Sequence, residues 1–159
     1  ADDSMCAGFD ANTKVNPPLR EKGDVKAVKA GLLDGTIDAI ATDHAPHHKD
    51  EKKIEFALAA SGISGFETAF SLAVTNLTDD ADKLAELFSV NPARIIEKKS
   101  GVIENGSFAD ITIADMSKQY TFTEQSIISK GKNSPFIGQK LKGVVTHTIV
   151  DGELVYEAN

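Results

Sequence analysis

The spacing of hydrophobic and polar positions changes character twice along this chain. From Asp24, Val25, Val28, Leu32 and Leu33 recur at the three-to-four-residue spacing of a helix with one buried face, and the pattern stops at Gly35. Asp24 stands where a side chain can cap the first turn, and Gly35 where a left-handed residue ends one. Thr36 to Thr42 is a short β-prone run, ended by the very polar Asp43-His44-Ala45-Pro46-His47-His48. Glu51 to Leu58, charged and then apolar, reads as a loop with one helical turn. After Gly62 and Gly65, the apolar face Phe66, Ala69, Phe70, Ala73 and Val74 predicts a helix ending near Asn76. Another is predicted from Asp82 to Val90, and Asn91-Pro92-Ala93-Arg94 predicts one more turn, with Asn as cap and Pro in first position.

Beyond Ser100 the period becomes alternating. Phe108 to Ala114 and Val144 to Val150 read as strands, and Asp151-Gly152 before Leu154-Val155-Tyr156 is a strong hairpin signal. Ala1 to Arg20 is irregular, its course stiffened by Pro17 and Pro18. The chain therefore divides into an α/β portion, residues 1–98, and a mostly β portion, residues 99–159. It carries no internal repeat or low-complexity segment.

Composition narrows the possibilities. The 159 residues are 41% hydrophobic and 26% charged, as in ordinary globular proteins. A net charge of −7, with acids and bases mixed, gives no concentrated basic surface for nucleic acid or an anionic membrane, so small-molecule chemistry is expected. Cys6 is the only cysteine, which excludes an internal disulfide framework and a cysteine-based zinc cluster, and points to a reducing, cytoplasmic location. No apolar run approaches the roughly 20 residues that span a bilayer. The opening Ala1-Asp2-Asp3-Ser4 has no signal-peptide character, and the lack of an initiating Met suggests a chain that starts within a longer protein.

The candidate chemistry lies between residues 43 and 48. Three of the four histidines join Asp43 there, directly after a predicted strand, and in parallel α/β folds reactive groups gather at the C-terminal ends of strands. Asp and His can ligate zinc or move protons. A solvated polar loop is the plain alternative for so short a pattern. The group is also too small for a complete metal site, since a catalytic zinc takes three protein ligands and the remaining histidine, His147, lies in the β portion. One convincing parallel strand with two flanking helices is likewise an incomplete layer, as expected of the last unit of a barrel of roughly 250 residues.

At this point several blocks together resemble the class I dihydroorotases of the amidohydrolase superfamily. They are Lys14-Val15-Asn16-Pro17-Pro18-Leu19-Arg20, Leu33-Asp34-Gly35-Thr36-Ile37-Asp38, Ala41-Thr42-Asp43-His44-Ala45-Pro46-His47, Gly65-Phe66-Glu67-Thr68-Ala69-Phe70, Asn91-Pro92-Ala93-Arg94, Ala109-Asp110-Ile111-Thr112-Ile113 and Ser129-Lys130-Gly131-Lys132-Asn133-Ser134-Pro135-Phe136. The resemblance covers nearly the whole chain. It implies an α/β fold made of the last part of a TIM-like amidohydrolase barrel, with Thr36 to Thr42 as its eighth strand, followed by a C-terminal β-sandwich segment. As a single chain this fold would be incomplete.

The resemblance further implies zinc as cofactor, in a two-metal centre, and (S)-dihydroorotate and N-carbamoyl-L-aspartate as substrates in pyrimidine biosynthesis. Asp43 is then both metal ligand and catalytic residue, moving a proton from the attacking water to the departing ring nitrogen. His47 and Asn16 bind the substrate carboxylate, and the main chain of Gly62 faces the substrate ring. Asn16 could instead merely shape the turn before the prolines, and Gly62 could be a hinge. His44 has no clear catalytic counterpart; His48 is expected to be solvated, Arg20 to form an ion pair or loop anchor, His147 to be structural, and Lys49 to Lys53 to form a solvated face.

Where many relatives have Ala-Pro-Phe-Gly, this chain has Ala59-Ala60-Ser61-Gly62, which removes a bulky ring and a proline from the pocket wall. The other metal ligands and the substrate-binding arginine of the family would lie upstream of Ala1, so the isolated chain is expected to be inactive. A separate upstream half, a second copy, or a neighbouring pathway enzyme such as aspartate carbamoyltransferase is the expected partner, because unpaired sheet edges favour association. Two other readings compete: a sibling cyclic amidohydrolase (hydantoinase, dihydropyrimidinase or allantoinase), and a non-catalytic assembly module of dihydroorotase type.

Overall fold

The computed structural model describes residues 1–158 and shows a mixed α/β chain made of two compact units. The first comprises Ala1–Ala30, Ala41–Ala69 and Thr121–Lys140; the second comprises Gly31–Ile40, Phe70–Tyr120 and the chain from Leu141 onward.

In the first unit the opening segment is less irregular than its composition suggests. Asp2 and Asp10 each turn a carboxylate back onto the chain, accepting from Ser4 N at 3.0 Å and Asn12 N at 2.9 Å, and each starts a short 3-10 turn, Asp3–Gly8 and Ala11–Thr13. Helix α1 (Lys22–Asp34) begins two residues before Asp24, so Asp24 is not its cap. Its carboxylate lies in the first turn, where the helix dipole favours it, and meets Arg20 Nε at 3.3 Å. A single turn, α2 (Lys49–Lys52), is capped by His48, whose Nδ1 accepts from Asp50 N while Glu51 returns the bond to His48 N.

The β-prone run 36–42 forms no strand. The chain there is bent and then extended, Ile40 N donates to Leu87 O, and the nearest ladder element is one parallel bridge between His44 and Ile63. A strand exists through its neighbours' hydrogen bonds, and among the described residues none runs beside this segment.

The second unit is built around α3 (Phe66–Asn76), which matches the predicted span and enters this unit from Phe70. Ala73, Val74 and Leu84 form its buried centre, with Ile40, Phe70, Phe88 and Met116 packed against them. The segment expected as one helix from Asp82 is split into α4 (Ala81–Ala85), capped by Asp80, and a π-helical turn over Glu86–Val90. That turn runs straight on into α5 (Asn91–Ile95), so Asn91 is helical rather than a cap. Its side chain is free to donate to Asp38 O, beside the Arg94–Asp38 ion pair at 2.8 Å.

Strands β1 (Ile111–Thr121), β2 (Lys140–Val150) and β3 (Glu153–Glu157) form a sheet in that order. The β2–β3 hairpin turns at Asp151 and Gly152, both left-handed (φ 50° and 81°), with a register shift between Thr148 and Ile149. Gly143 at φ 90° lies against α3, where a Cβ would come within 2.8 Å of Val74 Cγ2. Ser71 Oγ seals the same contact by donating to Gly143 O. Edge strand β3 leaves Leu154, Val155 and Tyr156 exposed.

Candidate active site

The polar segment 43–48 lies in the first unit, whose interior mixes small polar groups with apolar ones. Ser64, Thr68, Asn133 and Ser134 are buried beside Ala59, Phe122 and Ile127. Such an interior is stable only if its polar atoms are paired, and the pairing here converges on one side chain. Asn133, 4% exposed, donates through Nδ2 to Ala45 O (2.9 Å) and Gly62 O (3.0 Å) and accepts through Oδ1 from His47 N (2.9 Å) and Ser64 Oγ (3.2 Å). One amide thus ties the 43–48 segment to the Gly62 turn. Gly131 allows the close approach, since a Cβ there would stand 2.7 Å from both the N and O of His47.

Asp43 is exposed and left-handed, with φ 43°. The residue that follows it is bonded on both sides of its ring. The His44 ring receives the amides of Gly65 (3.1 Å) and Phe66 (3.2 Å) on Nδ1, stacks on Phe66 at 3.9 Å and 6°, and has Nε2 3.3 Å from Ser129 Oγ. Ser129 Oγ donates in turn to Glu67 Oε1 at 2.8 Å.

His47 and Gly62 are brought together: a Cβ on Gly62 (φ 153°) would lie 2.8 Å from His47 Nε2 and 2.6 Å from Ala45 Cβ. His47 Nε2 lies 3.0 Å from Ser61 O and its Nδ1 3.5 Å from Glu51 Oε2. Gly62 already uses both of its backbone groups, donating to Lys14 O and accepting from Asn133 and Lys52. Asn16 follows Lys14 by two residues and is exposed before the prolines.

Lys52 departs from the solvated face expected of residues 49–53. It is buried, with Nζ donating to Ala60 O at 2.8 Å and Gly62 O at 3.1 Å, and burial lowers its pKa from the ordinary value. The helical turn of α2 points it inward while its charged neighbours face solvent. Burial pushes the Glu67 carboxyl up, but hydrogen bonds from the Ser129 and Ile128 amides and the Ser129 hydroxyl outweigh it, and the net shift is downward.

A metal would find one suitable oxygen donor in Asp43. Among the described residues no group of three or more His, Cys, Asp or Glu side chains could hold a metal ion, so these residues do not make a metal site on their own.

A family model described as "Amidohydrolase family" matches residues 10–155. The chain belongs to the amidohydrolase family. Curated relatives of this amidohydrolase include proteins named dihydroorotase from Geobacter sp. (strain M21), 46% identical over 98% of the chain, and from Elusimicrobium minutum (strain Pei191), 50% identical over 98%. In each case the chain spans 37% of the relative's length. Among solved structures, the L-hydantoinase (dihydropyrimidinase) from Arthrobacter aurescens superposes with a TM-score of 0.90 at 26% identity, covering 99% of this chain and 37% of that one. The α/β fold is therefore that of part of an amidohydrolase, and no helix of the described residues is long and apolar enough to cross a membrane.

Asn133, Ser64, Ser129, Glu67 and Lys52 are the site residues that sequence reasoning missed. Asn133, Ser129 and Glu67 lie within blocks that carry the resemblance, which implies no chemical role for them. Their partners are more than sixty positions away, a separation no local pattern encodes.

Proposed function

We propose that this chain is part of a dihydroorotase, contributing Asp43 to a zinc-dependent centre that opens and closes the cyclic amide of (S)-dihydroorotate to give N-carbamoyl-L-aspartate in pyrimidine biosynthesis. The observation that carries the proposal is the exposed, left-handed Asp43, four residues before a His47 that is packed against Gly62, in a chain 46–50% identical to dihydroorotases along nearly its whole length. Residues 1–98 then belong to the barrel and 99–159 to the C-terminal β segment.

Bound zinc would supply Lewis acidity at the amide carbonyl and lower the pKa of water. This chain's residues do the rest of what concerns them. The Asp43 carboxylate would be one metal ligand; it accepts a proton from the attacking water and delivers it to the ring nitrogen as the C–N bond breaks, so that this nitrogen becomes the NH2 of the carbamoyl group. His47 donates a hydrogen bond to the substrate carboxylate, exchanging Ser61 O for that oxygen, and Asn16 donates a second. The Gly62 backbone forms the wall beside the ring, kept close by the absence of a side chain.

In the full-length protein, Asp43→Ala should abolish dihydroorotate turnover while leaving the fold intact. Turnover retained in the variant would refute the assignment and favour the assembly role. A second reading is favoured by the hydantoinase likeness and by Ala60-Ser61 in the wall: cleavage of hydantoin or dihydrouracil rings. Comparing kcat/KM for dihydroorotate, hydantoin and dihydrouracil on one preparation decides between them, and Asn16→Ala should raise KM for the carboxylate-bearing ring alone.

A further inference from the structure

The geometry points to His44 as the positioning residue that sets the direction of the Asp43 carboxylate, working through Ser129 and Glu67. For its kinetic consequence the inference rests on the proposed role of Asp43; its geometry does not.

Asp43 has a non-glycine side chain at φ 43°, a conformation unfavourable for most L-residues and open to Asp where the neighbouring structure favours it. Its own carboxylate is exposed, and the contacts that bear on its backbone are those of the residues that follow it. On the C-terminal side the chain is fastened twice. Ala45 N donates to Ile63 O at 2.9 Å within the single bridge, and the His44 ring is fastened at both nitrogens.

Nδ1 accepts two backbone N–H groups, those of Gly65 and Phe66, at the start of an eleven-residue helix. An atom that accepts two N–H groups carries no proton, so the ring is the Nε2–H tautomer and Nε2 donates to Ser129 Oγ. Ser129 Oγ receives that bond and passes its own hydrogen to Glu67 Oε1, which also takes the amides of Ile128 and Ser129. The direction of every bond in the chain is therefore fixed: ring to hydroxyl to carboxylate. The Phe66 face, parallel to the imidazole, removes the remaining freedom of rotation.

Residue 44 could hold the backbone through an ordinary apolar contact. The arrangement instead spends two helix amides, a hydroxyl and a carboxylate on one ring, which is how groups adjoining reactive ligands are oriented. Asn at this position can place its amide oxygen where Nδ1 stands, whereas Phe can keep the stack and make neither hydrogen bond.

The test uses the full-length protein and the variants His44→Phe, His44→Asn and Ser129→Ala. With dihydroorotate, His44→Phe should lose about 10- to 100-fold in kcat with KM little changed, His44→Asn should recover most of that loss, and Ser129→Ala should fall between. An unchanged kcat in His44→Phe, a loss confined to KM, or an Asn variant no better than Phe would overturn the inference. Independently of activity, 15N-histidine spectra of the wild type should show His44 as the Nε2–H tautomer, and a crystal structure of His44→Phe should show Asp43 released from positive φ. A protonated Nδ1, or Asp43 still left-handed in the Phe variant, would overturn it. Should the wild type fail to turn over dihydroorotate, the proposed function falls and the tautomer and φ measurements still decide this one. If His44→Phe does not fold, Ser129→Ala carries the kinetic arm: no loss of kcat there is a refutation.

Discussion

Replacing Asn133 by Ala removes the side chain that makes four hydrogen bonds around the 43–48 segment and the Gly62 turn, and the structure allows the cost to be worked through atom by atom. Four bonds vanish, but not all four partners are stranded. Gly62 O keeps Lys52 Nζ at 3.1 Å, and Ser64 Oγ keeps Gly131 O at 2.9 Å. His47 N–H and Ala45 O lose the partner they have in Asn133. At about 1–3 kcal/mol for each part-buried group left unsatisfied, the variant should lose about 2–6 kcal/mol of unfolding free energy, large for a single amide. Denaturant melts of the full-length protein, comparing midpoints at constant slope, measure this directly. Asn133→Asp sharpens the test. It keeps the two acceptor bonds but turns an anionic oxygen toward Ala45 O and Gly62 O, so above its pKa it should be worse than Ala. Protonation restores one donor, so the folded state binds the proton more tightly and the Asp variant should regain ground as pH falls. A loss below about 0.5 kcal/mol in Asn133→Ala, the scatter of ordinary surface changes, would refute the reading of Asn133 as the hub.

Gly62→Ala forces a methyl to within 2.6 Å of Ala45 Cβ at φ 153°, so it should cost about 1–3 kcal/mol in a thermal melt and raise KM through the displaced His47. For Glu67, the folded carboxyl titrates below its ordinary value of 4.5, so its stabilisation is present above 4.5 and disappears as pH falls through the lower folded value. The wild-type advantage over Glu67→Gln in melting temperature should therefore be constant near neutrality and shrink in acid; an advantage that grows in acid would contradict the assignment. At Lys52 the charged form burdens the folded state instead, because burial lowers its folded pKa below 10.5, and the wild type should gain on Lys52→Met as pH rises toward 10.5. Finally, Val155→Lys on the exposed edge strand should reduce concentration-dependent association in light scattering, which an irrelevant edge would not.

How much of this was legible beforehand depended on whether the deciding partner lay nearby in the chain. The α3 span, the Gly35 terminus and the Asp151-Gly152 hairpin follow from spacings of a few residues, and all three are present. The run 36–42 has the composition of a strand, but strand formation depends on a neighbour, and none of the described residues provides one. Asp24 and Asn91 have cap chemistry, yet Arg20 and Asp38 offer their side chains other work, and a cap is a choice among partners rather than a property of the residue. Lys52 departs from its composition for a related reason. A charge in a charged run looks solvated unless it is known that two carbonyls, at Ala60 and Gly62, stand within its reach.

The same distinction explains why the candidate site was found without its support. Asp43, His44 and His47 stand within five positions, so their chemistry shows in any reading of the sequence. What holds them is a second segment, 129–134, contributing a hydroxyl, a close-approach glycine and an amide, none of which suggests catalysis when read alone. These small polar groups do work that a hydrophobic interior could not, because an apolar contact excludes water but does not set direction, whereas Ser129 and Asn133 each bond at defined angles to two or more named atoms. In the proposed role, the carboxylate of a left-handed Asp43 needs direction more than it needs burial. On that argument the polar interior of the first unit is the means by which this sequence aims its candidate reactive group, and a variant that fills it with well-packed apolar side chains should gain or keep stability while losing turnover.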